Sequence, residues 1–245
     1  MKNRTVFVWT ILVWGISFAC YLPTLLEKNG IAVPKAFIAA KYLFVIIPLV
    51  VSVIFAALRG GFKKWFAELF AEKIRLKPIL FCVATGAVGL SFSFVYSLIA
   101  GEREAFADAF PSVLSVIAGC VYLFVTALAE ESAWRGFLLN NLSTERGEPF
   151  ALIYTSVVWA VWHIPMWTIR NSLGVGETTL YFSWTILISL AIGKIYLASK
   201  NLIITALIHM LFNVCFIAPV QYNVILAVVG AATMFPVFMR EHRKK

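Results

Sequence analysis

Long runs of apolar residues limit the fold of this chain more than any other feature. Of its 245 residues, 61% are hydrophobic and only 13% are charged, whereas soluble domains average roughly 45–50% apolar and about 25% charged residues. Many of the runs reach the length of about 20 apolar residues that crosses a bilayer core, and the alternating pattern of a β-barrel is absent. We therefore predict an all-α polytopic membrane protein that forms one integral membrane domain over residues 1–245.

About eight transmembrane helices are predicted from these runs, which places both termini on the same side of the membrane. The spans cover residues 5–26, 35–58, 78–100, 111–140, 150–169, 179–198, 202–218 and 221–239. Both termini are basic, and the loops on their side carry Arg59, Lys63, Lys64, Lys73, Arg75, Lys77, Arg146 and Lys200. Because cytoplasmic loops are enriched in Lys and Arg, both termini are predicted to be cytoplasmic. A compact chain without an extra domain favours a bacterial cell membrane.

The net charge of the chain is +9, and its basic segments could bind either lipid or nucleic acid. In a membrane protein, basic loops lie on the cytoplasmic side and contact anionic lipid, so a nucleic-acid partner is not predicted. The basic loop at residues 59–77 is also amphipathic, with aromatic and apolar residues at three- and four-residue steps: Phe62, Trp65, Phe66, Leu69 and Phe70. This pattern predicts an amphipathic helix at the cytoplasmic interface, and a plain surface connector is the alternative.

Two neighbouring carboxylates, Glu130 and Glu131, lie in the apolar run VYLFVTALAEESAWRGFLL together with Arg135. Ionisable residues at such a depth are candidates for a functional site because a charge in hydrocarbon is costly. Glu131 and Arg135 are four residues apart and face each other on a helix, while Glu130 points about 100° away. The pattern indicates one carboxylate held by arginine and one left for proton transfer. A structural ion pair at a helix end is the alternative.

Two later spans each place a histidine at a depth similar to that of Glu130. His163 follows Trp159 by four residues and precedes Pro165, while His209 and Asn213 lie one above the other on a single helix face. Imidazole and amide groups can donate hydrogen bonds to a developing oxyanion. Taken singly, such residues also serve as polar links between helices. Together, the Glu, the two His and the Asn are equipped to activate a water molecule and hydrolyse an amide.

These stretches resemble the CPBP intramembrane peptidase family, which includes type II CAAX prenyl-protein endopeptidases and bacteriocin-processing or immunity relatives. The EExxxR motif appears at Glu130–Arg135, the FxxxH motif at Trp159–His163, and the HxxxN motif at His209–Asn213. The one departure is Trp159, where the family usually has Phe. The three motifs come in the expected order within residues 130–213.

The resemblance implies an intramembrane endopeptidase that cleaves near the C-terminus of a peptide or of a lipidated, for example prenylated, protein. Glu130 and His163 would activate the water, and His209 and Asn213 would bind the oxyanion. Glu131, Arg135 and Trp159 would support them. A glutamate-activated water without a metal cofactor is the favoured mechanism, because the motifs lack the HExxH spacing of zinc peptidases. Zinc held by Glu130, His163 and His209 is the alternative.

Two other functions fit the same residues. A proton-coupled transporter would use Glu and His as a proton relay, but it would be expected to show repeated halves, and the sequence has no clear repeat. A non-catalytic immunity protein, or another protein that binds a partner through the same cavity, would need none of the motif residues for chemistry. All the motif residues are nevertheless present.

Overall fold

The structure is a computed structural model that describes residues 3–72 and 112–215, together with residues 80, 91, 95, 98, 99 and 101. Most of the predicted span at residues 78–100 and all of the span at residues 221–239 lie outside the described residues, as does His242 in the basic tail. Throughout the described part of the chain, the regular secondary structure is helical. The predicted all-α fold is confirmed for the described residues.

Five helical stretches within the described residues are long and apolar enough to cross a membrane. They are Arg4–Lys28, Lys35–Leu58, Val113–Arg146, Glu148–Arg170 and Val175–Ser199. A shorter apolar helix, Leu202–Val214, follows them. Each stretch overlaps one of the predicted spans, and the lengths fit the thickness of a bilayer core. The total of about eight spans stays a prediction.

Proline residues mark the helix starts in the first part of the chain. The elements are α1 (Asn3–Ala19), α2 (Leu22–Lys28), α3 (Lys35–Ile38), α4 (Ile47–Leu58) and α5 (Phe62–Glu68), with 3-10 turns at Ala39–Tyr42 and Phe44–Ile46. Pro23 and Pro48 lie in the first turns of α2 and α4, where the missing N–H of proline removes no helical hydrogen bond.

Two π-helical segments interrupt the helices of the second part of the chain. The elements are α6 (Val113–Glu131), a π-helix (Ser132–Leu139), α7 (Asn140–Arg146), α8 (Glu148–Pro165), a second π-helix (Met166–Arg170), α9 (Val175–Ser199) and α10 (Leu202–Cys215). Gly147 joins α7 to α8 with a φ of +82°, a left-handed conformation that glycine adopts without steric cost.

The chain forms two compact units, of which the first comprises Met1–Leu69 and Ala129–Gly193. In this unit α1 packs against α4 and α8, and the π-helix Ser132–Leu139 packs against α4 and α5. Indole N–H groups bond across these contacts, from Trp9 to Ser52 Oγ at 3.2 Å and from Trp162 to Ser17 Oγ at 2.9 Å. Trp9 and Trp162 thus fill the core of the unit and satisfy their indole N–H groups at the same time.

The second unit comprises Phe70–Leu128 and Lys194–Lys245. In its described part, Asn201 caps the start of α10. The Asn201 side chain accepts hydrogen bonds from the backbone N–H groups of Ile203 and Ile204 at 3.0 and 3.3 Å, and its amide donates to the Glu72 carbonyl at 2.7 Å. Asparagine is among the best N-cap residues because it satisfies these otherwise unpaired donors. Asn201 therefore both starts α10 and fixes the preceding turn.

The segment predicted to be an amphipathic helix contains α5. Trp65 and Leu69 are buried against the unit, whereas Phe62, Phe66 and Phe70 are between 40% and 53% exposed. Apolar side chains therefore project from both sides of α5 and from the turn after it. The helix ends at Glu68, and the segment beyond Glu72 lies outside the described residues. Its position at a membrane interface stays a prediction.

Candidate active site

Glu130 and Glu131 are the last two residues of α6, and both are buried, at 6% and 0% exposure. The chain continues directly into the π-helix Ser132–Leu139, which contains Arg135. π-Helical segments are rare and occur frequently at functional sites. The two carboxylates thus occupy the junction between two helix types, inside the first unit.

Glu131 forms the predicted ion pair with Arg135. The distance from Arg135 Nη1 to Glu131 Oε1 is 2.7 Å, and both side chains are fully buried. Burying two charges is costly unless good geometry and further hydrogen bonds compensate the lost hydration. The surroundings of Arg135 supply further interactions of this kind.

Arg135 also contacts helix α9 and the ring of Trp159. Its Nη2 donates to the hydroxyl of Ser189 at 3.0 Å and to the Ser189 carbonyl at 3.3 Å. Its guanidinium carbon lies 4.6 Å from the centre of the Trp159 ring, within the range of a cation–π interaction. Arg135 therefore links α8, α9 and the π-helix.

Glu130 bonds to a different partner from its neighbour. Trp159 of α8 donates its indole N–H to Glu130 Oε2 at 3.1 Å, and the Trp159 side chain is buried. Hydrogen bonds to a carboxylate are stronger than those between neutral groups. This bond fixes the direction of the Glu130 carboxyl group.

His163 bonds to the backbone of the same tryptophan. Its Nδ1 lies 2.7 Å from the Trp159 carbonyl oxygen. Because a carbonyl oxygen only accepts hydrogen bonds, Nδ1 carries the proton, and in the neutral ring Nε2 carries the lone pair. His163 is half-buried, and in this tautomer Nε2 can accept a hydrogen bond from a water molecule.

Three tryptophans surround the His163 ring. The Trp159 and Trp162 rings meet it edge to face at 4.8 Å, and Trp167 stacks on it at 5.3 Å with an interplanar angle of 15°. Such aromatic contacts fix the plane of the imidazole and keep its surroundings apolar.

Pro165 lies two residues beyond His163, and the second π-helix begins directly after this proline. Proline has no backbone N–H and cannot continue the normal helical bonding, so it provides a sequence signal for a change of helix type. No comparable signal marks the first π-helix. Gly136 within it allows a close approach, because a Cβ there would lie 2.1 Å from Leu69 Cδ2.

His209 and Asn213 lie on α10 in the second unit. His209 is 3% exposed, and Asn213, one helical turn later, is half-buried. Thr205 precedes His209 by one turn and is fully buried. Both predicted oxyanion residues are therefore on one helix, as the spacing indicated. Their meeting with Glu130 and His163 around one water molecule stays a prediction.

Two features of the site were not predicted from the sequence. Ser189, which binds Arg135, lies in no motif, and its only signal is that it is a polar residue in the apolar run TILISLAIGK. Polar residues in such runs often bond between helices. The hydrogen bond from the Trp159 indole to Glu130 was also missed, although tryptophan at this position differs from the usual phenylalanine of the resembled family.

Residues 112–215 match the family model of Type II CAAX prenyl endopeptidase Rce1-like proteins. The resemblance to the CPBP family is confirmed over this segment. The matched residues contain all three motifs, from Glu130 to Asn213. No curated protein matches the chain. Together with the membrane-length helices, the match to the Rce1-like family indicates a peptidase of the CAAX class that is integral to a membrane.

Proposed function

We propose that this protein is an intramembrane endopeptidase that hydrolyses a peptide bond near the C-terminus of a membrane-associated or lipidated protein. The observation that carries the proposal is the pair formed by Glu130 and His163, both bonded to Trp159 inside the segment that matches the endopeptidase family. A buried carboxylate and an oriented imidazole are the groups that general base catalysis requires.

In the proposed reaction, Glu130 takes a proton from a water molecule, and the resulting hydroxide attacks the scissile carbonyl carbon. His163, whose Nε2 carries the lone pair, positions this water. The carbonyl oxygen becomes an oxyanion that accepts hydrogen bonds from His209 and Asn213. The tetrahedral intermediate then expels the amine, to which protonated Glu130 returns the proton. The products are a free amine and a new carboxylic acid, which then loses its proton to solvent, and Glu130 is regenerated as a carboxylate, so atoms and charges balance.

The Glu131–Arg135 pair serves this reaction indirectly. Arg135 binds Glu131 and lies over the Trp159 ring, so Trp159 connects the buried ion pair to the Glu130 carboxyl group. Catalytic groups must stay close to their productive geometry, and a fixed network of this kind achieves that without contact with the substrate.

Zinc is the alternative means of activating the water. The side chains of Glu130, His163 and His209 are of ligand types that zinc accepts, and a metal-binding histidine usually donates its other N–H to a carbonyl or carboxylate, as His163 Nδ1 does here. These three residues would hold the ion, which when bound would polarise the water. We favour the glutamate-activated water because Glu130 and His163 come from separate helices without the HExxH spacing.

Cleavage of a peptide library tests the proposed function. The purified full chain in lipid nanodiscs is incubated with fluorogenic peptides that end in prenylated or unmodified C-terminal sequences. We expect cleavage by the wild type, and loss of turnover in Glu130→Ala, His163→Ala and His209→Ala. Glu27→Ala is the matched acidic control, since Glu27 is exposed on α2, and His242→Ala is the histidine control. Normal turnover in any of the first three variants contradicts the role given to that residue.

A further inference from the structure

Trp159 differs chemically from the phenylalanine that the resembled family usually carries at this position. Its indole N–H, which a phenyl ring lacks, donates to Glu130 Oε2 at 3.1 Å. Donor and acceptor side chains are 3% and 6% exposed. At this burial, a hydrogen bond to a carboxylate constrains its direction strongly, since few water molecules compete for the oxygen.

The same residue also holds the second member of the candidate pair. The Trp159 carbonyl accepts the proton of His163 Nδ1 at 2.7 Å, and the Trp159 ring meets the imidazole edge to face at an angle of 84°. Glu130 and His163 come from α6 and α8, so the orientations of both groups depend on one residue.

The position of the indole ring is itself fixed by a buried charge. The Arg135 guanidinium lies over the ring at 4.6 Å, and its nitrogens bind Glu131 and Ser189. A cation above the ring restricts its rotation and stabilises this rotamer. The N–H group is therefore presented to Glu130 by a side chain held on two sides.

We propose that Trp159 is a positioning residue whose indole N–H orients the Glu130 carboxyl group toward the reacting water. The inference rests on the proposed function and adds to it a role that phenylalanine cannot fulfil. The backbone contact to His163 is independent of the side chain, so Trp159→Phe removes the indole N–H and leaves that contact and an aromatic ring in place.

The kinetic test compares Trp159→Phe with Trp184→Phe in nanodiscs on a peptide that the wild type cleaves. Trp184 is a matched control, because it is 6% exposed and its indole nitrogen has no hydrogen-bond partner among the described residues. We expect Trp159→Phe to lower kcat by about tenfold or more, as for loss of a hydrogen bond to a charged group, while KM changes little. Trp184→Phe retains the wild-type kcat.

Two kinetic results would overturn the proposal. One is a folded Trp159→Phe protein in which both kcat and KM keep their wild-type values. The other is a raised KM at unchanged kcat, which would make Trp159 a substrate contact. If Trp159→Phe does not fold, β-(3-benzothienyl)alanine at position 159 replaces it. This residue keeps the outline of the indole ring and has sulfur in place of the N–H. The same two kinetic results, measured on this protein, would then overturn the proposal.

A spectroscopic test separates the indole bond from the proposed function. The indole resonance of Trp159 in an ¹⁵N–¹H spectrum is identified by its loss in Trp159→Phe, or in the benzothienyl protein. We expect it to move upfield in Glu130→Ala, while the Trp184 indole resonance stays in place. An unmoved Trp159 resonance overturns the positioning role even where peptides are cleaved. If the wild type cleaves no peptide, the proposed function fails, and this shift alone decides whether Trp159 orients Glu130.

Discussion

Arg135 binds Ser189 through both the hydroxyl and the backbone carbonyl, at 3.0 and 3.3 Å, across a separation of 54 residues in the chain. The contact joins the π-helix that follows the two glutamates to α9, which carries none of the three motifs. Both side chains are buried, with Arg135 at 0% and Ser189 at 1% exposure. Helix α9 therefore helps to hold the guanidinium that orders the candidate site.

Ser189→Ala is expected to destabilise the protein, because it leaves a buried guanidinium with one hydrogen-bond acceptor fewer. The loss is about 1–3 kcal/mol of unfolding free energy, measured by thermal and denaturant unfolding in detergent. Ser183→Ala on the same helix is the control, since Ser183 is exposed and its hydroxyl donates to the Thr179 carbonyl one turn earlier. Equal stability of the two variants would contradict the role of Ser189.

The Glu131–Arg135 pair is expected to show strong coupling in a double-mutant cycle. Glu131→Leu or Arg135→Met alone leaves an uncompensated buried charge, which costs about 3–5 kcal/mol of unfolding free energy. The double variant should lose less than either single variant, because neither charge remains. The surface pair Lys64–Glu68, with side chains 83% and 41% exposed, is the control, and its coupling should stay below about 1 kcal/mol. Additive effects at Glu131 and Arg135 would contradict a buried ion pair.

Gly136→Ala is expected to disturb the packing of the π-helix on Leu69. The added Cβ would lie 2.1 Å from Leu69 Cδ2, and Leu69 is 2% exposed, so overpacking should cost about 1–3 kcal/mol. The double variant Gly136→Ala/Leu69→Ala should have no clash, because the shorter side chain at position 69 leaves room for the added Cβ. The effects of the two substitutions on the unfolding free energy should therefore be non-additive. Gly119→Ala on α6 is the control, because nothing lies within 4 Å of its added Cβ. Strict additivity at 136 and 69 would refute the close approach.

Chelation separates the two ways of activating water. With glutamate as the base, 1,10-phenanthroline should leave turnover unchanged, and metal analysis of the active protein should find no stoichiometric zinc. Loss of activity that zinc restores would instead assign Glu130, His163 and His209 as ligands. A control peptidase of known zinc dependence, treated in parallel, shows that the chelator is effective.

Sequence periodicity was sufficient for features that lie within one continuous helical stretch. The pairing of Glu131 with Arg135 follows from their four-residue spacing, and the placement of His209 above Asn213 follows from the same rule. The apolar runs likewise predicted the five described membrane-length stretches to within a few residues at most of their ends.

Contacts between helices required the structure. The position of Ser189 in the sequence does not predict its contact with Arg135, because this contact depends on how α9 packs against the π-helix. The rotamer of Trp159, which directs its N–H to Glu130, depends in the same way on a cation from another element. The first π-helix follows Glu131 without a proline of the kind that precedes the second one.

Turnover by Glu130→Gln is the measurement that tests the central claim most directly. Glutamine keeps the size of the side chain and an oxygen that can accept the Trp159 hydrogen bond, but it cannot take a proton from water. We predict that a peptide cleaved by the wild type is cleaved by Glu130→Gln at a rate lower by about 10²–10⁴-fold, with an unchanged melting temperature. Cleavage by a folded Glu130→Gln protein at the wild-type rate would contradict the account.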